Sequence, residues 1–447
     1  MAVAAVASLA VLPLTATEAT AAGPTTYYIS PTGSDSASGT DANHPFRTVG
    51  KVVQLPLGPG DKVLLQRGAT FTGKLEVWRN GTAAKNITIG SYGSSNQPKP
   101  RVTNNPGDFC MMVGANHVTV SGIHVTGCRA GIWMRGVDNL ITNVEATDNI
   151  HGIEVDSGSN GVRVMRNHLH HNDRMAPDTP GAYDDYGAVG VVVLGDNTEV
   201  GYNRISENHA PSADFGSDGS AVEIYGGIGT LVHHNVARNN RTFTELGHRR
   251  SANTTYAYNV STSNLKDSEF LITRGASDYF GPVRGTVAVN NTVKMTGSNS
   301  LGYTCYGGCT PSTLTIHNNI LDVAGRIGYA DGPLAGGNNI YWHGEMSVPM
   351  LSGDKYANPK FRGSRLRLQA KSPAVDKVKK ARMKKDLTGR RVGVDGNGDG
   401  RRAADIGAYE AKKKKQERGQ GNGHHNHGAW FTPARFVRLA LGGLLTA

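Results

Sequence analysis

One phrase keeps returning along this chain: a few alternating β-formers, then Asn, then an aliphatic residue. It reads VEATDN after Asn143, VRVMRNHLHHN around Asn167, EVGYNRISEN around Asn203 and LVHHNVARNN around Asn235. TYAYNVSTSN around Asn259, VAVNNTVKM around Asn291 and LTIHNNIL around Asn319 continue it. A unit this short cannot bury its own apolar stripe, so copies must stack, and stacked copies make a solenoid.

Successive Asn anchors lie 24, 36, 32, 24, 32 and 28 residues apart. A unit of about 21 to 24 residues therefore takes insertions at defined places, which in a solenoid gather on one face, often the binding face. Each unit holds short period-2 segments separated by Gly, Asn, Asp and Ser, with no apolar pattern at helical spacing. Neither the Leu scaffold of leucine-rich repeats nor the Ala-rich helical pairs of tetratricopeptide and ankyrin units is visible. The expectation is an all-β solenoid, long and thin enough to remain one domain at 447 residues.

The ends differ from the body. Ala2 to Leu14 is an apolar run followed by an Ala19-Thr20-Ala21 site, so residues 1–22 read as a secretory leader. An exported chain with four cysteines implies two disulfides. Of three possible pairings, spacing favours Cys305–Cys309, a small loop, and Cys110–Cys128, about one coil apart. The net charge of +11 resides entirely in the stretch from Lys377 to the end, where 17 Lys and Arg face 6 acids. The body is neutral, which removes the case for a nucleic-acid partner. Residues 411–447 read as a basic low-complexity linker carrying His424, His425 and His427, then a short apolar end. That end is too short to span a bilayer but could lie on a membrane surface.

GIWMRG, GIEVDSG, GVVVLG, AVEIYGG, TELG and FLITRG share a register. It sends Ile132, Ile153, Val191, Val222 and Leu271 inward and makes an outward row of Trp133, Glu154, Val192, Glu223, Glu245 and Ile272. A second outward row holds Arg135, Asp156, Leu194, Tyr225 and Arg274. Glu223 and Glu245, 22 residues apart, then stand one strand spacing, about 4.8 Å, from each other. Like charges so close need a cation, a shared proton or a nearby base. His248, Arg249, Arg250, Lys266 and Arg274 are the bases within reach in sequence. The insertions DRMAPDTPGAYDDYG and HAPSADFGSDG bring Asp184, Asp185, Asp214 and Asp218 toward the same rungs. An acid-rich pocket of oxygens suits Ca²⁺. The predicted ligands are Asp214, Asp218, Glu223 and Glu245.

The recurring Asn residues read as a structural column of stacked amides. His168, His170, His171, His233, His234 and His317 read as wall residues. DGNGDG places Asp395, Asn397 and Asp399 at the 1, 3, 5 spacing of a calcium loop, with the closing acid, Asp405, one position early.

With these motifs placed, the chain resembles the secreted right-handed parallel β-helix repeat proteins of the pectin-lyase-like superfamily. The likeness runs over about residues 25–410. It rests on the opening TYYISPTGSDSASGTDANHPFRTVGK, on GPGDKVLLQRGATFTGKLEV and NITIGSYG, and on the close YANPKFRGSRLRLQAKSPAVDKV with DLTGRRVGVDGNGDGRRAADIGAYE. The resemblance implies a single-stranded right-handed β-helix over residues 23–410 that ends in a closing coil. It also implies a secreted protein, expected as a monomer, acting on or binding extracellular polysaccharide. The paired Asp and Lys pattern of the best-known pectate lyases does not map onto consecutive coils here. Lyases in which Ca²⁺ neutralises a uronate beside a basic pair are nearer to Glu223, Glu245, Arg249 and Lys266.

Three functions follow as expectations, the first being β-elimination on a uronate polysaccharide. There Arg249, Lys266 or His248 would be the base, and Tyr225 or Arg274 would protonate the leaving oxygen. Trp133, Arg135, Glu154, Asp156, Asp184, Asp185 and Arg250 would line the sugar path. The second is a glycoside hydrolase using Glu223 with Glu245 or Asp218. The third is a non-catalytic polysaccharide-binding solenoid.

Overall fold

The computed structural model describes residues 23–412. The predicted leader, the tail histidines and the apolar end all lie outside the described residues. No helix among the described residues is long and apolar enough to cross a membrane.

Each coil visits three walls in turn. A typical coil runs Leu140–Thr142 on the first wall, Glu145–Thr147 on the second and His151–Val155 on the third. First-wall strands stack into one parallel sheet of 12. The other two walls make a 22-stranded sheet of two ladders, joined where Leu301 pairs with Arg326. The architecture is a right-handed parallel β-helix, as the repeat and the resemblance lead one to expect.

The third wall keeps the predicted register. Ile132 pairs with Ile153, Val191 with Ile153 and Val222, and Thr244 with Val222 and Leu271. All of these side chains are fully buried. With Val125, Leu169 and Ile205 of the second wall and Ile141, Val164 and Val232 of the first, they fill one continuous core along the axis. Only alternate residues can point inward, so a one-residue slip would expose the whole stripe.

At the corner between the first and second walls, Asn167, Asn203, Asn235, Asn259, Asn291, Asn319 and Asn339 form an unbroken column. Each side-chain amide donates to the carbonyl oxygen of the next, at 2.9–3.1 Å. The same oxygen accepts the backbone N–H of the preceding Asn, as from Asn235 to Asn259 at 3.0 Å. Asp354 closes the column by accepting from Asn339 at 2.9 Å. A second column, Asn149, Asn172, Asn208 and Asn240, runs along the next corner. Burial without partners would be costly for these amides; mutual pairing removes that cost. Asn143 does not belong to the column. It takes the left-handed position before it (φ 53°), and Val144 stands where Asn stands in later coils, its N–H donating to Asn167.

A short 3₁₀ helix, Val49–Gln54, turns Val49 and Val52 into the first end of the core. The other end differs from the predicted closing coil. After the last rung, Lys355–Tyr356, the chain makes antiparallel pairings and folds back along the Asn corner. There Ala374, Val375 and Ile406 cover Tyr258, Val289 and Ile320. Both favoured disulfides are present, Cys110–Cys128 and Cys305–Cys309, with Cα atoms 5.7 and 5.9 Å apart.

Candidate active site

The insertions all border the third wall. Residues 171–188 and 207–219 leave from its entry corner, the latter folding as a hairpin of Ala210–Ser212 with Gly216–Asp218. Residues 275–285 leave from its exit corner, between the strands Glu269–Arg274 and Thr286–Val289. Together they enclose a cavity of about 660 Å³ over the rungs of Glu223, Glu245 and Ile272.

Glu223 and Glu245 are direct partners across adjacent strands. Their environments differ. Glu223 is 4% exposed, and its Oε2 has no hydrogen-bond partner. Burial, then the charges of Glu245 and Asp218, push its carboxyl well above the usual range, which favours the protonated form. Asp218 is raised to about 6 by burial and then by Glu245. Glu245 is anchored instead. Its Oε1 accepts from the Arg274 guanidinium and from the Tyr225 hydroxyl at 3.4 Å. Arg274 also donates to the Leu246 carbonyl at 2.7 Å, approaches Asp278 at 3.4 Å, and lies over the rings of Phe280 and Tyr306. Gly247 makes this arrangement possible, since a Cβ there would sit 2.7 Å from the Tyr225 ring.

The cavity lining carries Asp184, Asp185, Asp218, Glu223, Glu245 and Asp278 against two bases, Arg241 and Arg274. Arg274 is committed to Glu245, whereas Arg241 approaches Glu269 at 3.5 Å with its Nε and Nη1 left without a hydrogen-bond partner. At the rim, Tyr183 is 76% and Tyr279 83% exposed, with Phe215 and Phe280 beside them.

Several expected residues fall elsewhere. His248 and Arg249 are exposed past the turn that ends their strand, and Lys266 is exposed on the loop before the next; none lines the cavity. Closeness in sequence does not carry round a corner, because the chain there leaves the wall. Arg250 bolts that corner together, binding Asp196 at 2.6 Å and the Gly226 carbonyl. Trp133 and Arg135 lie on the same wall three rungs before Glu223, and Glu154 and Asp156 two rungs before it. Trp133 packs near Trp78 and Phe109, Arg135 approaches Asp156 at 3.5 Å, and Glu154 pairs with the buried His151 at 3.0 Å. Tyr186, whose ring packs edge-on against His151, stands between that region and the cavity. Sequence reading missed Tyr183, Tyr186, Arg241, Asp278, Tyr279, Phe280 and Tyr306. The aromatic pair inside the loop GASDYFGP was the available signal.

The residues do not fit the expected calcium ion at Glu223 and Glu245, because the Arg274 guanidinium already occupies the cation position there. Asp184, Asp185 and Asp214 cluster as predicted from the insertions. Their oxygens are used to join the two insertions. Asp185 accepts from Thr179, Ser212 and the Asp214 N–H, and Asp214 accepts from Gly181 and Asp184. In DGNGDG, Asp395 accepts from Gly398 and Gly400, and Asn397 from Asp399. Asp405 is buried away from that loop, accepting from Asp376 and Ala411, and burial followed by Glu410 raises it to about 8. The third acid near the loop is Asp376.

The chain is a three-walled right-handed parallel β-helix with its loops gathered over one wall, a fold it shares with solved structures of low sequence identity. The pectate lyase Pel9A superimposes with a TM-score of 0.55 at 17% identity, over 87% of this chain and 96% of its own. XylC in complex with xylose gives a TM-score of 0.53 at 11% identity, over 87% and 99%. No protein-family model matches the chain. In sequence, a lacto-N-biosidase of Bifidobacterium longum subsp. longum is 35% identical over 143 residues, 29% of this chain. The chain spans 9% of the length of that curated relative.

Proposed function

We propose that this protein is a retaining glycoside hydrolase acting on a polysaccharide or oligosaccharide of low negative charge. The observation that carries this is the pairing, one strand apart, of a buried carboxyl whose pKa is pushed up with a second carboxyl that Arg274 grips. Retaining enzymes need their two carboxyl groups about 5 to 5.5 Å apart, and adjacent strands of a parallel sheet lie about 4.8 Å apart.

In the first step Glu223 gives its proton to the glycosidic oxygen while Glu245 attacks the anomeric carbon. Arg274 and Tyr225 both hold Oε1, so Oε2 is the oxygen free to form the glycosyl ester. In the second step Glu223, now a carboxylate, takes a proton from water. That water attacks the anomeric carbon and releases Glu245. Tyr183, Phe215, Tyr279 and Phe280 offer apolar faces against which sugar rings stack.

Uronate β-elimination, ranked first from the sequence, finds less support in the cavity. It needs a cation to neutralise the uronate and an accessible base, whereas Arg274 is taken by Glu245 and the six acids of the lining outnumber the two arginines and repel a polyanion. The sequence relative named as a biosidase supports the same choice. Incubation with a panel of neutral and acidic glycans separates the readings. Reducing ends that appear with retained anomeric configuration, and vanish in Glu245→Gln, are expected. An unsaturated, ultraviolet-absorbing product would overturn the hydrolase reading. Glycan binding without cleavage would point to the adhesion role.

A further inference from the structure

We propose a transition-metal site on the outside of the second wall, formed by Glu145, His168 and His170 and suited to Zn²⁺. His168 and His170 flank Leu169 on one strand. Leu169 is fully buried, so by the two-residue period both imidazoles project from the outer face. Their rings stack with centroids 3.9 Å apart. Glu145 is the register partner of His168 on the adjoining strand, and its Oε1 lies 3.3 Å from His170 Nε2. One ligand atom from each of the three falls within 4.8 Å of the others.

Two imidazoles and one carboxylate are a ligand set that Zn²⁺ accepts with a fourth position left to water, whereas Ca²⁺ requires oxygens. All three side chains are half-buried on a hydrogen-bonded sheet, so little ordering remains to be done on binding. His124, the register partner of Glu145 on its other side, engages Thr147 at 2.8 Å and borders the site. Lys99, Arg101 and Arg204 stand around the cluster and oppose a divalent ion, which weakens its binding. The site lies on a different wall from the cavity and does not depend on the hydrolase reading.

The test uses the full-length chain stripped with chelator, with His424, His425 and His427 changed to Ala in every sample so that tail binding is absent. Zinc titration followed by calorimetry and thermal melting is expected to show one ion per chain and a raised Tm. His168→Ala/His170→Ala should lose both effects, and Glu145→Gln, which keeps the side-chain volume, should weaken uptake at least tenfold. Cobalt in place of zinc should give the visible bands of a low-coordinate cobalt site in the parent and none in the double variant. Equal zinc uptake by parent and Glu145→Gln, or no uptake by the parent, would overturn the proposal and leave an ordinary His–Glu pair.

Discussion

Asn235 above Asn259 at the corner and Glu223 above Glu245 on the third wall share one geometry, identical side chains repeated one coil apart. An amide carries both donor and acceptor, so stacking satisfies it indefinitely. A carboxylate only accepts, so stacking two requires a proton on one and a cation on the other. The raised pKa of Glu223 favours the first remedy, and Arg274 supplies the second. The same repeat thus stabilises the molecule where its residues complement themselves and stores reactive protonation states where they do not.

The largest expected effect breaks the acidic pair. Glu223→Gln should lower kcat on the order of 10²- to 10⁴-fold, the usual contribution of a general acid, and Glu245→Gln at least as much. Steady-state kinetics on the substrate found by the glycan panel checks this. Glu223→Gln should not lower Tm at pH 8, whereas Glu245→Gln should lower it by leaving the buried Arg274 without its partner.

Breaking the other column should do the reverse. Asn259→Ala orphans the backbone N–H and the amide of Asn235, at a cost of about 1–3 kcal/mol for each group, while leaving the cavity untouched. Denaturant melts and kinetics on one preparation should show a fall in stability with kcat preserved in the folded fraction.

The proton on Glu223 sharpens the contrast through pH. Its folded pKa lies above that of the unfolded chain, so the folded state holds a proton that unfolding releases. Stability is then fully present below the ordinary carboxylate range and is lost as pH rises from there through the raised folded pKa. Asp218 adds a decline that starts in the ordinary range and is complete a little above its folded value of about 6. Melting between pH 4.5 and 8 should show this slope, and Glu223→Gln should flatten it. Asp218→Asn removes a like charge that raises Glu223, so the alkaline limb of kcat/KM should move to lower pH. The smallest effect is expected from chelators of calcium, which should leave kcat unchanged because Arg274 supplies the positive charge beside Glu245.

The wall register and the corner column could be read in the sequence because period-2 alternation and recurrent Asn are local signals. Glu223 and Glu245 were found together for that reason. The rest of the cavity was not legible, since loops such as 275–285 follow paths set by contacts with other coils. His248, Arg249 and Lys266 show the opposite error, nearness in sequence on a chain that turns away. Asn143 was a smaller one, because both residues of the tight turn are often Asn and spacing alone does not tell which points inward.

Asp354 gives the corner column a direction and a stop. Every amide hands a proton interaction toward the C-terminal end, and the last member has none to pass on. A duplicated coil could therefore be spliced into the interior of this solenoid, but growth past its end would first demand an amide at 354. The length of the helix is in this sense written into one atom, an oxygen where its predecessors carry nitrogen.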